Sequence, residues 1–139
     1  MRDSVPPLVG SVEFVMQLPV VVVRYQGSPS DAAFDAYLKR MRQVCEEHVG
    51  CVLVHDATFG GPADAVRRRR LADFIKDNTP LIQRNVAGVA YVVPNALVRG
   101  IVVALLWMVA HPVPHLVTDS LDEGMQWAGR TAVRHAAKD

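Results

Sequence analysis

The residues whose chemistry could serve a function follow one short apolar segment. The segment Cys51–His55 has the composition of a buried strand, Asp56 comes directly after it, and the loop that leads to Asp64 opens a helix with four consecutive arginines, Arg67–Arg70. In an open α/β sheet, ligands and partners bind beyond the carboxyl ends of the strands. The Asp56–Asp64 loop is therefore the first place to look for a functional site.

Asp56 has three chemical roles open to it: phosphoacceptor, metal ligand or hydrogen-bonding organiser of the loop. A magnesium site needs several oxygen ligands, and Asp64 is the only other carboxylate in the loop. We therefore interpret Asp56 as a loop organiser. Thr58, the one hydroxyl of the loop, could be a substitute modification site, but a local hydrogen bond that shapes the loop is favoured. Gly60 and Gly61 supply a turn, without a P-loop or dinucleotide fingerprint around them.

The four arginines cannot all contact one ligand, because successive residues of a helix are rotated by about 100°. Arg67 precedes the apolar Leu71 by one helical turn, which places it at the inner rim near the loop. There its guanidinium could hold a phosphate or carboxylate bidentately. The alternative is a solvated face with pairing to Asp64 or Asp73.

The histidines do not form a metal-binding pattern. His111 and His115 have the spacing of a helical zinc pair, but Pro112 and Pro114 forbid the helix that would align the two rings. His55 should point to the opposite side of its strand from the following aspartate, as a packing residue rather than a base. The sequence predicts no metal, no cofactor and no catalytic constellation.

Length and composition indicate the class of protein to which these residues belong. The chain has 139 residues, of which 50% are hydrophobic and 21% charged, as expected for one globular domain. Its 15 Lys and Arg balance 14 Asp and Glu, so the net charge of +1 gives no broad attraction for nucleic acid. Cys45 and Cys51, the only cysteines, match no zinc or redox spacing and are predicted to be reduced and buried.

The N-terminal segment and the most apolar run of the chain lead to a prediction of location and domain organisation. Residues 1–10 contain an acidic residue and two prolines where a secretory signal needs an apolar core. We therefore predict a flexible tail at 1–10, a single domain at 11–136 and a cytoplasmic protein. The most apolar run, Ile101–Ala110, is shorter than the roughly 20 residues of a spanning helix.

The hydrophobic pattern predicts an α/β fold. Val12–Leu18 alternates in polarity and Val20–Tyr25 opens with four β-branched valines, which predicts two antiparallel strands at the start of the sheet. Further strands are predicted at Cys51–His55, Ala87–Val93 and His115–Thr118, with helices from Asp31 to Gly50, from Ala63 or Asp64 past Thr79-Pro80, over Ala96–Ala110, and from Ser120 to about Arg134. The order β-β-α-β-α-β-α-β-α predicts a mixed, mostly parallel sheet of about five strands covered by helices.

The third predicted helix, Ala96–Ala110, is apolar on nearly all sides. A helix of this kind must be covered on all sides, whereas a helix on one layer of a small domain leaves one side exposed. The residues that would form the interface or the ligand cover are Leu97, Ile101, Val102, Leu105, Leu106 and Trp107. A second copy of the chain is the simplest cover, with a lipid, an apolar small molecule or a partner helix as alternatives. Arg99 could hold an acidic headgroup or pair with a neighbouring carboxylate, and both roles stay open.

The element order resembles that of the STAS-like domains of bacterial regulators, in particular the SpoIIAA-like branch, which is compared with lipid-binding CRAL-TRIO domains. The resemblance rests on the aspartate after the central strand, the glycine-containing loop and the segments VAYVVPNALVRG and SLDEGMQWAGR, and it extends from Val12 to Arg130. It implies a mixed sheet packed against helices, and binding of protein partners, nucleotides or small apolar or anionic ligands. Anti-sigma factor antagonists of this type carry a phosphorylatable serine in the turn, and Phe59–Asp64 departs from that pattern because it has no hydroxyl.

Three functional hypotheses follow. The first is a non-catalytic regulatory or protein-interaction module of the STAS type that acts through a homodimer or a regulatory protein partner. The second is a carrier or sensor of an apolar or lipid-like ligand beneath the third helix. The third, and least supported by the residues, is an enzyme that acts on an anionic substrate through Arg67 and Asp56.

Overall fold

A computed structural model of the protein describes residues 11–60 and 65–138, and it has the predicted α/β architecture. The elements are β1 (Ser11–Gln17), β2 (Val20–Gly27), α1 (Asp31–Glu47), β3 (Cys51–Gly60), α2 (Ala65–Asp77), α3 (Thr79–Asn85), β4 (Val86–Val92), α4 (Ala96–Val109), β5 (His115–Thr118) and α5 (Leu121–Lys138). The strands lie in the sheet in chain order, with β1 antiparallel to β2 and the other neighbours parallel. The predicted mixed, mostly parallel sheet is confirmed.

The connections place the crossover helices on one face of the sheet and α5 on the other. Parallel neighbours joined in chain order by right-handed crossovers put their helices on the same side. On the side of α1 to α4, which we call the helix face, Val21, Val23 and Leu53 pack against Phe34, Tyr37 and Met41 of α1. On the opposite side, which we call the α5 face, the alternate strand residues pack against α5: Val20, Val22, Val52, Val54, Ala90 and Val92 contact Ala128 and Ala132.

The central strand β3 is longer than the sequence pattern indicates. We expected it to end at His55, but it continues to Gly60, and β2 pairs with it from Val20↔Val52 to Gly27↔Gly60 with a register shift between Arg24 and Gln26. The polar side chains after His55 do not end the strand, because the backbone of residues 56–60 stays paired with β2. The prediction of a loop that begins at Asp56 is therefore wrong for residues 56–60.

The N-termini of α1 and α4, two helices that border the site described below, are capped by side chains. The Ser30 hydroxyl accepts a hydrogen bond from the Ala33 amide at 3.1 Å and caps α1. The Asn95 side chain accepts hydrogen bonds from the amides of Leu97 (2.9 Å) and Val98 (3.1 Å) and caps α4, the third helix of the sequence prediction. The predicted second helix divides into α2 and α3, with a restart at Thr79-Pro80.

α5 lies very close to β4 at Gly88 of the strand. A Cβ atom added at Gly88 would lie 2.8 Å from the Thr131 Cγ2 and 3.0 Å from the Trp127 ring. The sheet and α5 meet here without room for any side chain on the strand. Gly88 thus sets the distance between α5 and the sheet.

Candidate functional site

A cavity of about 190 Å³ lies on the helix face of the sheet, at the carboxyl ends of the central strands and beneath α4. Its floor is formed by the ends of β2, β3 and β4, and its sides by the start of α1 and by α2. The lining is mostly apolar. Parallel α/β sheets commonly bind ligands at this edge, and the position agrees with the region that the sequence indicated, although the residues that form it are largely different ones.

α4 has an inner and an outer side, and the apolar residues predicted for a single interface divide between them. The inner residues Ile101, Val102, Leu105 and Leu106 line the cavity, together with Val98. On the outer side the side chains are strongly exposed: Leu97 by 77%, Trp107 by 84% and Met108 by 81%. One part of the predicted set therefore covers a cavity, and the other faces solvent.

Three rings on adjacent strands form the polar part of the cavity floor. Tyr25 on β2, His55 on β3 and Tyr91 on β4 stand side by side, with the His55 ring centroid 5.9 Å from that of Tyr25 and 5.1 Å from that of Tyr91. The Tyr91 and His55 rings are stacked because His55 and Tyr91 are paired in register across the two parallel strands. This ring row faces the cavity.

Hydrogen bonds hold the ring row in place. The Tyr25 hydroxyl lies 2.6 Å from His55 Nδ1 and 2.9 Å from the Tyr37 hydroxyl of α1. The Tyr91 hydroxyl lies 3.0 Å from His111 Nε2, and His111 Nδ1 lies near the backbone of Val113. His55 Nε2, in contrast, has no hydrogen-bond partner among the residues that the structure describes.

The ring row is uncharged at neutral pH. Burial lowers the pKa of His55 to about 3, with a smaller contribution from the nearby His111. Burial raises the pKa of the Tyr37 hydroxyl to about 12, and it raises the pKa of the Tyr25 and Tyr91 hydroxyls as well. General acid–base catalysis works best with a pKa near the operating pH, so none of these groups is tuned for it.

Arg67 lies at the α2 side of the cavity and binds an aspartate that the sequence did not indicate. Its Nη2 donates to the Asp31 carboxylate of α1 at 3.0 Å, and its guanidinium lies 5.9 Å from the centre of the Phe34 ring. Arg70 donates to Asp35 of α1 in the same way, with its guanidinium 4.9 Å from the Phe34 ring. These two ion pairs join the first two turns of α1 to the first two turns of α2 beside the cavity. Arg68 also lines it.

Asp56 faces away from the cavity, on the α5 face of the sheet. It is only 2% exposed and accepts hydrogen bonds from the Thr58 amide (3.0 Å) and the Thr58 hydroxyl (2.5 Å). Its other carboxylate oxygen lies 3.5 Å from Arg24 Nε, and Arg24 also pairs with Glu13. Asp56 therefore organises the end of β3, as its interpretation as a hydrogen-bonding organiser implied. It does not converge with Arg67, which lies beyond the other face.

The remaining predicted site residues fall in different places. Gly60 lines the cavity, where an added Cβ would come within 3.1 Å of Tyr25 Cβ. Arg99 donates from Nη1 to the carbonyl oxygens of Val93 (3.0 Å) and Pro94 (3.2 Å), and so joins α4 to the end of β4. Gly61 and Asp64, like the predicted tail at 1–10, lie outside the described residues.

Metal-binding and membrane-spanning features are absent from the described ranges. His111 and His115 come close, with ring centroids 4.8 Å apart, but no group of three or more His, Cys, Asp or Glu side chains in residues 11–60 and 65–138 could hold a metal ion. Within the same ranges, every helix is too short or too polar to cross a bilayer.

None of the tyrosines Tyr25, Tyr37 and Tyr91 was predicted from the sequence as a site residue. A signal for two of them was present, because Tyr25 shares strand parity with Val21 and Val23, and Tyr91 shares it with Val89. Residues of equal parity face the same side of a sheet. Parity combined with a position at the carboxyl end would have brought Tyr25, His55 and Tyr91 together.

Comparison of the chain with protein-family models and with curated proteins finds no match in either case.

Proposed function

We propose that this protein binds a small, mostly apolar molecule in the cavity beneath α4 and does not transform it. The observation that carries the proposal is the cavity itself, about 190 Å³ in volume and lined by the inner side of an apolar helix. An apolar cavity of about 150 Å³ in another protein holds benzene. By the same proportion, the space beneath α4 suits a ligand of about eight non-hydrogen atoms.

The chemistry of the walls supports binding rather than catalysis. The tyrosines of the ring row and His55 are neutral, and the Tyr25 hydroxyl hydrogen-bonds to both Tyr37 and His55. Asp56, the carboxylate that an enzyme on an anionic substrate would have used, lies on the other face of the sheet and is bound to Thr58 and Arg24. A binding site needs shape and a few positioned polar groups, and the cavity offers both.

A cavity-filling substitution tests this proposal. We expect indole and p-cresol to bind the protein, and Val102→Trp to abolish binding because the indole side chain occupies the space beneath α4. Met108→Trp is the matched control, since it adds the same side chain on the exposed outer side of the same helix, and it should bind both probes as the wild type does. Isothermal titration calorimetry measures the affinities, and at a probe concentration of 100 Kd the protein should gain about 2.7 kcal/mol of stability.

Two outcomes would contradict the proposal. One is that neither probe binds the wild-type protein at millimolar concentration. The other is that Val102→Trp, shown by circular dichroism to be folded, binds the probes as tightly as Met108→Trp does.

A second candidate function is a STAS-like regulatory module that forms a homodimer through the outer side of α4. The specific observation in its favour is the strong exposure of Leu97, Trp107 and Met108 on one side of a helix whose only charged residue, Arg99, binds backbone carbonyls. Exposed apolar patches of this kind mark interaction sites. An uncharged apolar surface is suited to a second copy of itself.

Reversal of polarity at this surface tests the second candidate. We expect the wild-type protein to have twice the 15.3 kDa mass of the chain in light scattering, and Trp107→Glu to have the mass of one chain. Val133→Glu is the matched control, because Val133 is also strongly exposed but lies on α5; it should leave the mass unchanged. A wild-type protein that stays monomeric at every concentration would exclude this candidate and leave the cavity proposal unaffected.

A further inference from the structure

One nitrogen on the cavity floor is left with unused hydrogen-bonding capacity. His55 is only 7% exposed, and its Nδ1 lies 2.6 Å from the Tyr25 hydroxyl. Its Nε2 makes no hydrogen bond to any described residue, although His55 lines the cavity. A ring nitrogen without a hydrogen bond, on a residue that lines an apolar cavity, can take one of the few positioned polar contacts that fix a ligand in such a site.

We propose that the natural ligand is an uncharged apolar molecule with one hydroxyl group, and that the hydroxyl binds His55 Nε2. This inference rests on the proposed function, since it specifies the ligand of the same cavity. It adds a specificity-determining residue that the sequence pattern assigned to packing alone.

A hydroxyl fits either arrangement of protons in the row. If the Tyr25 hydroxyl donates to His55 Nδ1, then Nε2 carries the ring proton and donates to the ligand. If Nδ1 carries the proton and donates to Tyr25, then Nε2 accepts from the ligand. A hydroxyl both donates and accepts, whereas a carboxylate only accepts and an ammonium group only donates.

The cavity floor also disfavours a charged ligand. Tyr25, Tyr37, His55 and Tyr91 offer no charge to pair with, and burial of an unpaired charge in apolar surroundings is costly. At the α2 side, the Arg67 guanidinium binds the Asp31 carboxylate. Among the described residues of the wall, Arg68 is the other charged one, and an anionic probe is therefore included in the test.

The experiment compares two probes that differ by one hydroxyl, toluene and p-cresol, on the wild type and on His55→Phe. Phenylalanine keeps a flat ring next to Tyr91 but has no nitrogen. We expect toluene to bind both proteins with similar affinity. The affinity ratio of p-cresol to toluene should fall about tenfold in His55→Phe, because the buried hydroxyl loses its partner, an effect of about 1.4 kcal/mol.

A second variant controls for loss of structure. His55→Gln keeps a donor and an acceptor at the site, and its ratio of p-cresol to toluene affinity should stay within about threefold of that of the wild type. If His55→Phe does not fold, the wild type and His55→Gln are compared with benzoate, an anion of similar size, and p-cresol should bind more tightly than benzoate to both.

Different outcomes separate this inference from the proposed function. If toluene binds and the affinity ratio of p-cresol to toluene is unchanged in His55→Phe, the role of Nε2 is overturned but the cavity remains a ligand site. The hydrogen-bond partner of Nε2 would then be a water in the adjoining cavity of about 40 Å³, which His55 also lines. Tighter binding of benzoate than of p-cresol would overturn the uncharged ligand. Failure of all three probes to bind would overturn the proposed function as well.

Discussion

Gly88→Val should lower the free energy of unfolding by about 3 kcal/mol or more, at the upper end of what single substitutions do. A Cβ at this position would lie 2.8 Å from the Thr131 Cγ2, 3.0 Å from the Trp127 ring and 3.2 Å from the Pro114 carbonyl oxygen. Two of these groups belong to α5 and the third to the segment before β5, so no single side-chain rotation clears the space. Valine adds two further methyl groups, and α5 must move away from the sheet.

Urea denaturation measures this effect, and Gly129→Ala is its matched control. Gly129 lies in α5 with nothing within 4 Å of an added Cβ, and alanine favours a helix interior over glycine by up to about 1 kcal/mol. The two substitutions should therefore change stability in opposite directions. A Gly88→Val protein as stable as the wild type would show that α5 does not pack on β4 as described.

Acidification should destabilise the protein between about pH 6.5 and pH 3, with His55 as a main cause. The folded-state pKa of His55 is lowered to about 3 by burial, while an unfolded histidine has a pKa of about 6.5. The unfolded chain thus binds a proton in this window that the folded chain does not, so stability is complete above the unfolded pKa and declines as the pH falls. At pH 4.5 the loss from His55 is about 2 to 3 kcal/mol.

A variant isolates this contribution from those of the carboxylates. In His55→Phe the free energy of unfolding should depend less steeply on pH, by up to about 1.4 kcal/mol per pH unit between pH 6 and pH 4. His111, whose pKa is lowered to about 4 by burial and by the nearby His115, adds a smaller effect of the same sign. Parallel pH profiles for the wild type and His55→Phe would mean that the imidazole is hydrated in the folded protein.

Much of the fold could be predicted because apolar residues recur in the sequence with the period of a strand or of a helix. The valine run of β2 predicted a strand paired antiparallel with β1, and the bounds of β5, His115–Thr118, were predicted to the residue. The end of β3 was missed because Asp56 and Thr58 have side chains typical of loops. In the structure these two side chains bind each other, which lets polar residues remain in a paired strand.

The candidate site was harder to predict, since it depends on how elements lie against one another. Periodicity cannot divide α4 into an inner and an outer side, because both Leu105 and Trp107 are apolar, and only the packing shows that Leu105 lines a cavity. The pairing of Arg67 with Asp31 joins residues from two helices, and no spacing within one segment indicates it. The cavity lies at the same edge of the sheet at which the sequence predicted a site.

The α5 face of the sheet has a consequence for how the protein is made. Among the described helices α5 alone covers this face, and it follows all five strands in the chain. On the ribosome, the strands leave the exit tunnel first, and Val52, Val54 and Val92 have nothing to bury them until residues 121–138 have emerged. Nascent chains with uncovered apolar surface are prone to aggregate, so the valine-rich sheet is most exposed to aggregation in the interval before its last helix emerges.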